Sequence, residues 1–74
     1  MDDVLALRAL AAILADDALA RRFLALTGLD AETLRARAGK PDVTKAVAAF
    51  LSGHEPDLLA VAARLGVPPE SLAA

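Results

Sequence analysis

Along this chain, apolar residues return every three or four positions, and glycines, prolines and acidic residues interrupt them. That spacing predicts a series of short amphipathic helices. The first runs from about Asp3 to Ala15, capped by Asp2 or Asp3. Leu7, Leu10, Ile13 and Leu14 share one face with Ala6, and Arg8, Ala12 and Ala15 lie opposite. Val4 and Leu5 fall off the stripe. Asp16 or Asp17 caps a second helix, about Ala18 to Thr27. Here Leu19, Phe23 and Leu26 form the inward stripe with Leu24 beside it, while Arg21, Arg22 and Ala25 face away. Gly28 suits the left-handed residue that ends a helix, and Leu29 after it can pack back on the last turn.

Asp30 caps a third helix, about Ala31 to Ala38, with Glu32 in its first turn and Leu34 as its main anchor. Arg35 and Arg37 sit near its C-terminal end, where cations complement the helix dipole, and Gly39 stops it. Lys40-Pro41-Asp42 is a turn that opens a fourth helix. Val43, Val47, Phe50 and Leu51 point inward in that helix, Lys45, Ala49 and Ser52 point outward, and Gly53 ends it. Pro56 stands at the first position of a fifth helix, about Pro56 to Leu65, with an apolar face of Leu58, Leu59, Val61, Ala62 and Leu65. Gly66 stops that helix, and Pro68-Pro69-Glu70 starts a last short one. A helix of about six residues is not stable alone, so it must dock through Val67 and Leu72.

The pattern repeats. An offset of 38 residues lays Gly28, Leu29, Glu32, Thr33, Leu34 and Ala36 on Gly66, Val67, Glu70, Ser71, Leu72 and Ala74. An offset of 37 lays Leu10-Ala11-Ala12-Ile13-Leu14 on Val47-Ala48-Ala49-Phe50-Leu51. The expectation is an all-α fold: one domain over residues 1–74, a compact bundle of five or six short helices in two similar three-helix halves. Two units are too few for a solenoid.

Composition sharpens this picture. Much of the apolar content is alanine, which favours helix but fills little core, so the large core candidates are fourteen leucines, five valines, Ile13, Phe23 and Phe50. A domain this short buries only roughly 60% of its unfolded surface and is stable by a few kcal/mol unless it oligomerises. There is no cysteine, hence no disulfide and no thiolate metal site. No apolar run reaches the ~18 residues of a membrane span. The chain opens on acidic Met1-Asp2-Asp3, where a signal peptide would be basic. These features point to a cytoplasmic protein.

Candidate chemistry is sparse. The sole histidine, His54, lies in a turn and reads as an ordinary solvated residue, with no ligand spacing around it to hold a metal. Asp2-Asp3 and Asp16-Asp17 sit at helix starts, where capping explains them better than paired acid-base catalysis does. The glycines are single helix stops rather than a phosphate-cradling loop. The expectation is a protein that is not an enzyme, with no cofactor, no metal and no small-molecule substrate.

On Arg22-Phe23-Leu24-Ala25-Leu26-Thr27-Gly28-Leu29, Leu34-Arg35-Ala36-Arg37-Ala38, Val47 to Leu51 and the closing Gly66 to Leu72, the sequence resembles a family of small bacterial proteins catalogued as a domain of unknown function, number 3572. The Phe23 to Leu29 segment is the most specific part, and the resemblance spans nearly the whole chain. It implies an all-helical cytoplasmic protein and carries no catalytic residues to transfer.

The functional expectation is a protein–protein interaction module that binds a protein partner or itself. A small Leu- and Ala-rich domain has difficulty covering all its apolar surface. Although the net charge is −2, residues 21–45 are locally basic. The candidate partner-binding residues are therefore Arg21, Arg22, Arg35, Arg37 and Lys40, meeting an acidic surface and helping the encounter more than the final affinity. The alternative is a degenerate helix-turn-helix domain that binds nucleic acid. Ala62 to Leu72 resembles the first helix and turn of such proteins, but no arginine or lysine follows Arg64, and Asp30 and Glu32 of the first copy would face phosphates.

Overall fold

A computed structural model describes residues 1–73 and contains α1 (Asp3–Ala15), α2 (Asp17–Thr27), α3 (Ala31–Ala36), α4 (Pro41–Ser52), α5 (Glu55–Leu65) and a closing 3₁₀ turn, Pro69–Ser71. The caps are those the acidic residues promise. A carboxylate oxygen of Asp2 accepts from the Leu5 amide at 2.7 Å, one of Asp16 from Leu19 at 3.1 Å, and one of Asp30 from Thr33 at 2.7 Å. Each carboxylate satisfies an amide that a helix start would otherwise leave unpaired. α4 and α5 lack a side-chain cap and instead carry Pro41 and Pro56 in their first turns. Gly28 and Gly66 end α2 and α5 in the left-handed conformation, at φ 71° and 69°.

Three departures from the pattern have physical causes. Beyond Ala36 the chain makes a turn, so α3 is two residues shorter than the spacing suggests. Asp57 and Leu58 amides bond back to the His54 carbonyl, which starts α5 one residue early with His54 as its N-cap. The expected sixth helix is only a 3₁₀ turn, yet it seats Leu72 with no exposure at all.

α1 is the hub: α2, α4 and α5 all pack on it. A helix with neighbours on several sides needs small residues there, and Ala6, Ala9 and Ala12 are all buried in α1 with Leu10 and Ile13. The buried side is therefore rotated from the leucine stripe. Ala12, expected outward, is inside, and Leu7, expected inside, is 42% exposed. Leu14 is half-buried, Leu5 packs against the core and Val4 is exposed.

Ile13, Phe23, Leu34, Val47, Leu51, Val61 and Leu72 form the wholly buried centre. Phe23 meets Phe50 edge-to-face, with ring centroids 5.2 Å apart and planes at 78°. That geometry sets the positive ring edge against the negative face. The two halves correspond in packing at some of the matched positions, though Ala12 is buried where Ala49 is exposed and Leu14 is half-buried where Leu51 is enclosed. Leu34 and Leu72, one offset apart, are both fully enclosed; Ile13 and Phe50 are both buried, as are Leu10 and Val47.

Candidate functional site: the trough between α2 and α4

Leu26 was expected in the stripe of α2, but it is 75% exposed. α2 packs on α1 and buries Leu19 and Phe23, and the last turn of α2 leaves its third leucine outward. Arg22, Ala25 and Leu26 stand three and four residues apart and share the resulting face.

α4 presents Ala46, Ala49, Phe50 and Gly53 across from that face. Between the helices lies a hollow of about 390 Å³, lined by Ala25, Leu26, Ala49, Phe50 and Gly53 and by Arg22, His54 and Asp57. A second hollow of about 240 Å³ continues past Leu26 along Phe23, Thr27 and Ala46. Leu26, Ala49 and Phe50 line both hollows, and Leu26 is the large exposed apolar side chain among them.

The polar end is organised by a buried acid. Asp57 is 5% exposed, and its Oδ1 accepts from Arg22 Nη2 at 2.5 Å. A carboxylate removed from water is costly unless it is paired, and the guanidinium supplies that pairing. The other oxygen, Oδ2, is shielded from water and lies 3.0 Å from His54 Nδ1. That contact has the distance of an ion pair but not the direction of a hydrogen bond, so Oδ2 has no hydrogen-bond partner among the described residues. Arg22 Nη1 also lies 3.3 Å from His54 Nδ1, and the guanidinium sits 6.0 Å from the centre of the Phe50 ring. His54 is exposed, but it is held beside Asp57 and Arg22 rather than simply solvated.

The five basic residues singled out from the sequence are dispersed. Arg22 belongs to this trough. Arg35 lines a different hollow, between α1 and α3, with Leu7, Leu10, Leu14 and Ala38. Arg37 is paired with Asp42 on the surface, both side chains at least half exposed. Arg21 and Lys40 are exposed and make no ion pair among the described residues. The hydrogen bond from Arg37 is the main cause that holds the Asp42 carboxyl below its ordinary value, and the Thr33 amide does the same for Asp30.

Sequence reasoning missed Asp57, because an acid in the first turn of a helix reads as a solvated dipole partner. Nothing in the local pattern distinguishes it from Glu55. Arg22 and Leu26 carried a signal, since their separation of four places both on one face.

Among the described residues, no three His, Cys, Asp or Glu side chains converge as a metal site, and no helix is long and apolar enough to cross a membrane. The fold and the trough define an all-α bundle that carries a solvent-open apolar channel with one internally paired polar end. The family described as "Protein of unknown function (DUF3572)" matches residues 2–74, and the chain belongs to it. No curated protein and no solved structure matches the chain.

Proposed function

We propose that this is a non-enzymatic interaction module that receives a protein partner in the α2–α4 trough. The observation that carries this reading is Leu26, a large apolar side chain three-quarters exposed that lines both hollows. Placing apolar surface in water is unfavourable by roughly 25 cal/mol per Å², and an occupant that covers Leu26 and the Phe50 edge recovers that loss. An amphipathic helix laid along the trough is the matching shape. Catalysis finds less support, because the ionisable groups that converge here, Arg22, Asp57 and His54, are committed to one another.

The exposed cations Arg21, Arg35 and Lys40 have a secondary role, attracting acidic surface during encounter. The helix-turn-helix alternative is weaker. α3 has six residues and the other copy is a three-residue 3₁₀ turn, each with its leucine turned fully inward, which leaves little face for a groove of DNA.

The test is affinity capture from the source cell with the wild-type chain and with Leu26→Lys. Capture should be lost in the variant while its helical circular dichroism is unchanged. Equal capture by both would remove the reading.

A further inference from the structure

We propose that the occupant of the trough is the trough of a second copy, in a two-fold symmetric contact; this rests on the α2–α4 trough being the interaction surface. In such a contact one patch meets itself, so it must carry both the projection and the recess. This face does. Leu26 projects, and the hollow beside it is floored by Ala25, Ala49, Phe50 and Gly53. A two-fold axis near Leu26 lets each Leu26 enter the recess beside the partner's Leu26. Alanine and glycine on the recess floor allow the two backbones to come close.

The charge of the trough's lining permits self-contact. Any net charge on a self-contacting patch faces its own copy, and like charges brought together in a desolvated interface are costly. Among the described residues that line the trough, the one guanidinium, Arg22, is offset by Asp57 at 2.5 Å and the floor is uncharged, while exposed Arg21 and Lys45, four residues before Ala25 and Ala49, stand at its margins. The α1–α3 hollow fails this criterion: Arg35 lines it and no carboxylate does, so a two-fold contact there would set two guanidiniums against each other.

The size also fits. A stable interface takes about 800 Å² from each partner, which is about a fifth of the 4292 Å² this chain exposes.

Sedimentation velocity of the purified full chain, from micromolar to millimolar concentration, tests the proposal. The wild type should pass from monomer to dimer. Leu26→Lys and Ala49→Lys, both at exposed positions, should each raise the dimer dissociation constant at least about tenfold with unchanged circular dichroism. A wild type that stays monomeric at millimolar concentration overturns the two-fold contact, as does a dimer indifferent to both substitutions. If the chain is monomeric yet still captures another protein in a Leu26-dependent manner, only the identity of the occupant is wrong. If no capture depends on Leu26, the interaction surface itself is wrong.

Discussion

Arg22 on α2 and Asp57 on α5 are joined by a 2.5 Å ion pair that bridges 35 positions of sequence. The acid is buried and the base half exposed, so the two partners are not equivalent. Removing Arg22 strands a carboxylate with no other hydrogen-bond donor among the described residues. Arg22→Ala should therefore cost about 2 kcal/mol in urea denaturation. Arg22→Ala combined with Asp57→Asn should cost less than the two single changes added together, because the second change removes the stranded charge. Strict additivity would mean that the pair contributes no coupling.

Phe23 has no exposure and touches Phe50. Phe23→Ala should lose about 3–5 kcal/mol. Against a total of roughly 5 kcal/mol for a domain of this size, that leaves about 0–2 kcal/mol, so a fraction approaching about half of the variant should be unfolded at room temperature by circular dichroism. Phe23→Leu keeps most of the volume and should remain folded, losing the edge-to-face contact.

Gly28 sits at φ 71°, and a Cβ built there would meet nothing within 4 Å. Substitution therefore meets backbone strain rather than a clash. Gly28→Ala should lower stability by about 1 kcal/mol and Gly28→Asn by less, since asparagine tolerates the left-handed region. A thermal melt of the three proteins checks the order.

Asp30 and Asp42 both titrate below the ordinary aspartate value of 3.8 when folded. The unfolded chain then binds more protons than the folded one between the two values. Their contribution is complete above the unfolded value and is lost as pH falls through the folded one. The melting temperature should be flat with respect to these groups above about pH 5 and decline below about pH 4. Asp30→Asn with Asp42→Asn should flatten that decline. Both groups are exposed, so added salt should shrink the Asp42 share.

The surface cations and the trough should separate kinetically. With an acidic partner other than a second copy, changing Arg21, Arg35 and Lys40 to glutamate should slow association several-fold and leave dissociation alone. Leu26→Lys should act mainly on dissociation. Surface plasmon resonance distinguishes the two, and an equal effect on both rates from the charge changes would contradict their assignment to the encounter.

Most helix boundaries were legible because caps and stops are local. Asp2, Asp16, Asp30, Gly28 and Gly66 act on neighbours three or four residues away, and short-range spacing records that. The facing of the helices was less legible. Alanine lies on every side of α1, so its apolar stripe is faint, and the packing of three neighbours, rather than the leucines, decides that Ala12 goes in and Leu7 stays out. The trough was hidden for the same reason. Leu26 obeys the period of a buried stripe, and only the way α2 leans on α1 exposes it. Asp57 was illegible because its partner lies on another helix far away in sequence.

The central position of α1 has one further consequence. The first half of the chain supplies the helix on which the second half is assembled, so the likeness of the halves does not make them autonomous. A peptide cut after Gly39 would bare the alanine seam of α1 to water. Mixing it with the complementary peptide should restore helicity in a concentration-dependent manner, because α4 and α5 cover that seam.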